Sequence, residues 1–265
     1  MALDDRPTVN AVTFPEGTLI NLGDSAGAAG LVAAYVANAG AAITVVRATT
    51  YTEPAAAAQL EVVSSSANDD GAPAGTGART VRIVYYDGNG NGPFTTDVIM
   101  NGVTAVATTA TDIRFVECMH CLTVGSNGTN VGTITLRGLG GRAVIGTIAA
   151  SDGRTYWGHH YVGAGRVSQI TELTAAMTLA KGTVFLRAID ISVTDAFERQ
   201  ITASYRLGSA AAGAAATPSP FVESLVFPFG SLYVRGPARV TAYVDADAAV
   251  ANNVAHVSFG YIDVG

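Results

Sequence analysis

The sequence predicts an all-β protein, a β-sandwich or jelly-roll-like arrangement of antiparallel sheets entered through an extended N-terminal arm. Three observations carry that expectation. Short runs rich in Val, Ile, Thr, Tyr and Phe alternate apolar and polar side chains with a period of two, the pattern of a half-buried strand. Between the runs stand Gly, Asn and Asp clusters that favour tight turns, such as Asp87-Gly-Asn-Gly-Asn-Gly92 and Gly125-Ser-Asn-Gly-Thr-Asn130. Helical periodicity is nearly absent, and no repeat of fixed length is visible, which argues against a propeller or β-helix.

Residues 1–48 read as the arm and an irregular lead-in, and residues 49–265 as the sandwich domain. Pro7, Pro15 and several Gly or Asn residues punctuate Asp4–Leu22. That segment therefore has room for one short strand, at Val12–Phe14 or Thr18–Leu22. Leu31–Ala39 fits a strand or a helical turn, and the β-branched Ile43–Arg47 is the better strand. Glu53–Gln59, with Pro54 at its first helical position, predicts one turn of helix.

Leu60–Val63 predicts a short strand, stopped by a loop from Ser64 to Gly77 that has no apolar side chain larger than Ala or Pro. Arg79–Tyr86 alternates cleanly, with Val81, Ile83 and Tyr85 on one face. Asp87–Gly92 turns the chain and Phe94–Met100 returns. Asn101-Gly102 then predicts a two-residue hairpin leading into Val103–Val106. Ile113–Val124 is a long strand, turned at Gly125–Asn130 to pair with Val131–Arg137.

Residues 138–165 are Gly-rich and hold the sole tryptophan, in Tyr156-Trp-Gly-His-His-Tyr161. The aromatics are expected to cover one end of a sheet, and a subdivision of the domain near 138–165 is the alternative. Val167–Leu173, Thr183–Val193 and Gln200–Leu207 follow as strands. Phe221–Phe229, with Pro228, suits a sheet edge. Arg239–Asp245 and Ala255–Ile262 close the chain as a hairpin.

Charged residues make up 14% of the chain, against roughly 25% in an average globular domain. A surface so poor in charge fits a protein covered by partners, although the drift of a GC-rich genome would also leave Lys181 as the single lysine. A net charge of −6 disfavours a nucleic-acid partner, which needs clustered positive charge. No apolar run reaches 18 residues, so no membrane-spanning helix is expected. The N-terminus lacks the basic-then-apolar order of a secretory signal. Two cysteines do not make a disulfide framework, which fits synthesis in a reducing cytoplasm.

Three constellations tempt a functional assignment. Cys118-Met-His-Cys121 has the spacing of a redox pair or half a zinc site. In a strand, however, positions three apart point to opposite faces. We read both cysteines as structural, a zinc site with His159, His160 or His256 being the alternative. Asp87–Asn91 opens like a calcium loop, but Val98 stands where the closing bidentate Glu belongs, so a β-turn is expected. His159-His160 beside Trp157 could ligate a metal, or Tyr156, Trp157 and Tyr161 could form a carbohydrate platform. Adjacent residues of an extended chain diverge, and packing is the expected role. No nucleophile elbow and no phosphate-cradling loop after a strand appears. We expect no enzyme, no catalytic residues, no cofactor, no bound metal and no small-molecule substrate.

The central stretch nevertheless resembles a recurrent family of structural proteins in tailed bacteriophages. The resemblance lies in Ser66–Asp69, Gly75–Val81, Asp87–Asn91, Val98–Gly102 and Gly125–Ile134, in that order. It extends more weakly to Val257-Ser-Phe-Gly-Tyr261. It implies a virion component of the head or tail region, made in the host bacterial cytoplasm, with no catalytic residues to carry over. From the N-terminal arm, the small-residue surface and the lack of a host-recognition domain we expect a capsid decoration (cement) protein, a trimer contacting the major capsid protein and its own copies. A tail, baseplate or adaptor component, or a glycan-binding module of a fibre, is the alternative.

Overall fold

The computed structural model describes residues 29–37, 44–45, 49–177, 182–190, 198–207, 221–226, 233–246 and 254–264. The chain is all-β. Its strands begin with β1 (Ala29–Ala37), β2 (Thr44–Val45), β3 (Leu60–Ser64), β4 (Ala78–Tyr86), β5 (Phe94–Ile99) and β6 (Val106–Ala107). Then come β7 (Phe115–Val124), β8 (Ile134–Gly138), β9 (Val144–Ile148), β10 (His159–Val162), β11 (Val167–Met177) and β12 (Gly182–Asp190). The last are β13 (Glu198–Leu207), β14 (Phe221–Val226), β15 (Tyr233–Arg235), β16 (Ala238–Ala246) and β17 (Val254–Val264).

These strands form two pairs of antiparallel sheets. The first pair comes from one continuous stretch: β6-β3-β8-β9 faces β5-β4-β7. The second pair gathers both ends of the described chain. One sheet runs β1-β17-β11-β14, with β15 also on β11. The other runs β10-β16-β12-β13, with β2 on β16.

The first pair encloses one core. Val81, Ile83 and Tyr85 project from the predicted face of β4 onto Leu60 and Val62 of β3, Ile134 and Leu136 of β8, and Met119 of β7, all buried. Side chains of this size each contribute roughly 1.5–3 kcal/mol when fully buried. Alternation therefore determines which face of β4 looks inward.

Partner choice is where the sequence expectations fail. The β4–β5 hairpin forms as expected across Asp87–Gly92. Asn101-Gly102 does not sit at the centre of a hairpin: Thr104 N donates to Asn101 O at 2.9 Å, so Gly102 (φ 56°) and Val103 are the central residues. That turn hands the chain from β5 in one sheet to β6 in the other. β8 pairs with β3 and β9 rather than returning along β7. The closing hairpin is absent too, since β16 and β17 belong to different sheets. Glu53–Gln59 is not a helical turn but a run of bends, with Ala58 bridged to Ile113. The strand readings at 31–39 and 43–47 meet β1 and β2, whereas the extended arm expected over Asp4–Leu22 falls outside the described residues.

The loop after β3 has no large apolar side chain to bury, so hydrogen bonds hold it. Asp69 is fully buried, and its Oδ1 accepts from Ala78 N and Val131 N, each at 2.8 Å. Its Oδ2 accepts from Gly132 N at 2.8 Å and from the Ser64 hydroxyl at 2.6 Å. Backbone bonds close the cage: Gly77 N to Asn68 O at 2.9 Å, Gly125 N to Gly77 O at 2.7 Å, and Gly102 N to Asp69 O at 2.9 Å. At Gly125 a Cβ would stand 2.3 Å from the Gly75 carbonyl oxygen, so only glycine lets the two loops meet. Ser66–Asp69, Gly75–Val81, Val98–Gly102 and Gly125–Ile134 thus converge on a single residue, Asp69, the third through its backbone carbonyl.

Candidate functional site

A second buried polar centre lies where the two pairs of sheets meet, and it starts from an irregularity in β7. Val84 pairs with Cys118 and Tyr85 with Val116, which leaves Glu117 opposite no residue. Such a bulge bends the strand and re-aims a side chain. Glu117 is buried, and its Oε2 accepts from Tyr161 N at 2.7 Å while Oε1 meets His160 Nδ1 at 3.0 Å.

All four residues of β10 are buried. Its two histidines diverge, as adjacent residues of an extended strand must. His159 Nε2 lies 3.0 Å from the Val116 carbonyl, and its ring packs between Tyr51 and Tyr161. His160 turns towards β17. Its ring stacks on Tyr261 with centroids 3.6 Å apart, and Nε2 lies 3.4 Å from Asp263 Oδ1.

Beside this triad, the Tyr161 hydroxyl donates to Glu53 Oε1 at 2.7 Å and lies 3.1 Å from the Tyr51 hydroxyl. Arg239 of β16 donates to the same Glu53 oxygen, and Arg114 lies 3.7 Å from the other. Tyr51 OH in turn accepts from Val116 N at 3.1 Å. Trp157 packs on Tyr51 with centroids 4.6 Å apart and donates through Nε1 to the Thr49 hydroxyl at 3.0 Å.

Burial alone would pull the His160 imidazolium towards neutrality. Glu117 and then Asp263 outweigh it and raise the group to about 9. Tyr86, Tyr161 and Tyr261 are pushed well above the ordinary phenol value, chiefly by burial. The arrangement can bind and release one proton and tie β7, β10 and β17 together. Each of the three charged or titratable members comes from a different strand, and two of them, Glu117 and Asp263, escaped the sequence reading. The available signal was a lone acid inside an apolar run, Val116-Glu-Cys-Met.

The tempting motifs resolve as follows. Cys118 and Cys121 are free thiols, and Cys121 packs against the first core. Burial raises Cys121 to about 12 and Cys118 further, against the thiolate that redox or zinc chemistry requires. Asp87 spends both oxygens inside its own turn: Oδ1 accepts from Asn89 N and Asn91 N at 2.8 Å, and Oδ2 from Asn91 Nδ2 at 3.0 Å. Among the described residues, no group of three or more His, Cys, Asp or Glu side chains is arranged to hold a metal ion. The carbohydrate platform is overturned, because Trp157 and Tyr161 are 3% and 0% exposed.

No protein-family model matches the chain, and no curated protein matches it. Among solved structures, a chain of the T13 IBDV viral particle is similar at 13% identity and a TM-score of 0.17, covering 91% of this chain and 70% of that one. A chain of the infectious bursal disease virus VP2 subviral particle is similar at 11% identity and a TM-score of 0.10, covering 94% of this chain and 82% of that one. Superpositions this loose carry no argument, so the functional reading rests on the residues themselves.

Proposed function

We propose that the chain is a virion structural protein of a tailed bacteriophage, and within that class a capsid decoration (cement) protein. In this reading it forms a homotrimer and stabilises the head through contacts with the major capsid protein and with its own copies. It is made in the host bacterial cytoplasm, resides in the virion and catalyses nothing.

The observation that supports the reading is the use to which the resembling segments are put. Four of the five converge on Asp69 and build a loop cage instead of lining a cleft. What such segments specify is a rigid scaffold. The low charge of the chain fits a surface extensively covered by neighbours. Ile99, Val103, Leu139 and Val144 add exposed apolar contacts at strand ends and turns. Contacts of that size are weak singly and add up in an ordered lattice.

Virions assembled without the protein should lose infectivity sooner under heat and osmotic shock. Equal survival of complete and deficient particles would remove the cementing role. Copy number separates the tail or adaptor alternative, since hundreds of copies over the head support decoration and a few dozen at one vertex do not.

A further inference from the structure

We propose that His160 is a proton-operated clasp between the two pairs of sheets, engaged as an imidazolium by Glu117 of β7 and Asp263 of β17 and released in mild alkali. The inference is independent of the virion reading and starts from geometry. Both ring nitrogens face carboxylate oxygens, at 3.0 Å for Nδ1 to Glu117 and 3.4 Å for Nε2 to Asp263. A neutral imidazole carries a single N–H and can serve only one of them. The doubly protonated ring presents an N–H to each: Nδ1 is hydrogen-bonded to Glu117, while Nε2 makes an ion pair at 3.4 Å with Asp263 and no hydrogen bond.

The two carboxylates are unequally placed for the loss of that proton. Glu117 keeps the Tyr161 N–H at 2.7 Å whatever the state of the ring. Asp263 Oδ1 is buried and has no hydrogen-bond partner of its own, so it depends on the charge of His160. Deprotonation therefore removes the Asp263 tie of β17 to β10, leaving the Tyr261 stack on the ring.

The thiol and phenols around the ring do not titrate in the same range. Cys118 on β7, Tyr86 on β4 and Tyr261 on β17 are all pushed above their ordinary values by burial, and Arg166, in the loop after β10, acts on Tyr86. Glu117 and Asp263 supply the field that holds the proton, and His160 is raised to about 9.

The test uses the full chain. Histidine-labelled protein followed by nitrogen NMR should show His160 charged at neutral pH with a midpoint near 9, apart from His120, His159 and His256. A ring that is neutral at pH 7, or that titrates at the ordinary value, would overturn the proposal. The thermal midpoint of the wild type should fall as pH rises through about 9. In Glu117→Gln and in Asp263→Asn that fall should be smaller and be complete at least one pH unit lower. Alkaline profiles superimposable on the wild type in both variants would also overturn it.

Discussion

Two buried carboxylates anchor this protein by opposite means. Asp69 is held by three backbone N–H groups and one hydroxyl, donors that carry no charge and no ordinary titration. Glu117 is held by one backbone N–H and by a histidine whose charge depends on pH. The first centre ties loops of one continuous stretch together, and the second ties together strands from distant parts of the chain. The amide donors around Asp69 have no proton to lose in the ordinary range, while the cage of side chains around Glu117 is a joint that loss of a proton can loosen.

The largest expected effect tests the amide cage. Asp69→Ala leaves three N–H donors unsatisfied, two of them buried and each of those costing on the order of 1–3 kcal/mol. Urea denaturation should show a loss of about 4 kcal/mol or no folded state. A loss below about 1 kcal/mol would mean that the carboxylate is a bystander. Gly125→Ala probes the same cage without touching its charge. The added methyl would stand 2.3 Å from a backbone oxygen that has no rotamer in which to escape. A loss of roughly 1–3 kcal/mol is expected, and it should be independent of pH.

The clasp should behave otherwise. Because His160 binds its proton more tightly in the folded chain than in the unfolded one, its contribution is complete below the unfolded value near 6.5. That contribution is lost as pH rises through about 9. Stability measured by denaturation at pH 6 and pH 10 should therefore differ by up to about 3 kcal/mol, the size of the shift converted at roughly 1.4 kcal/mol per unit. A flat profile would sink the contrast between the two centres.

The smallest effect is a surface control. Arg82 forms a two-pronged pair with Asp97, at 2.8 and 2.9 Å, on the exposed face of β4 and β5. Replacing Arg82 with Ala should cost less than about 1 kcal/mol, and less still in high salt.

The contrast also marks how far residues can be read without coordinates. Local rules found the strands, because alternation at Val81, Ile83 and Tyr85 is a property of the segment itself. They found the turns for the same reason, since Asp87 closes its loop with atoms two and four residues away. Beyond the β4–β5 hairpin they did not find which strands pair. The turn at Gly102 looks like the centre of a hairpin but joins two sheets, and β17 binds β1 and β11 rather than β16.

The same division holds for the sites. Asp69 sits inside segments whose composition already marks them as structured loops, so the region was legible even though the role of that carboxylate was not. His160 was visible as half of a histidine pair, but its partners lie 43 and 103 positions away along the chain. Nothing in Val116-Glu-Cys-Met or Tyr261-Ile-Asp263 announces the other. A bulge decides that Glu117 points out of its own sheet, and bulges follow from pairing register.

By itself, then, the sequence determined the class of fold, the inward face of the central strand, the turns and the absence of a recognisable catalytic motif, because all of these depend on side chains within a few residues of one another. The tertiary structure alone decided the pairing of sheets, the burial of Trp157 and Tyr161 and the meeting of Glu117, His160 and Asp263. Those depend on contacts between remote segments, whose free energy is set by packing and desolvation and leaves no period or spacing in the chain.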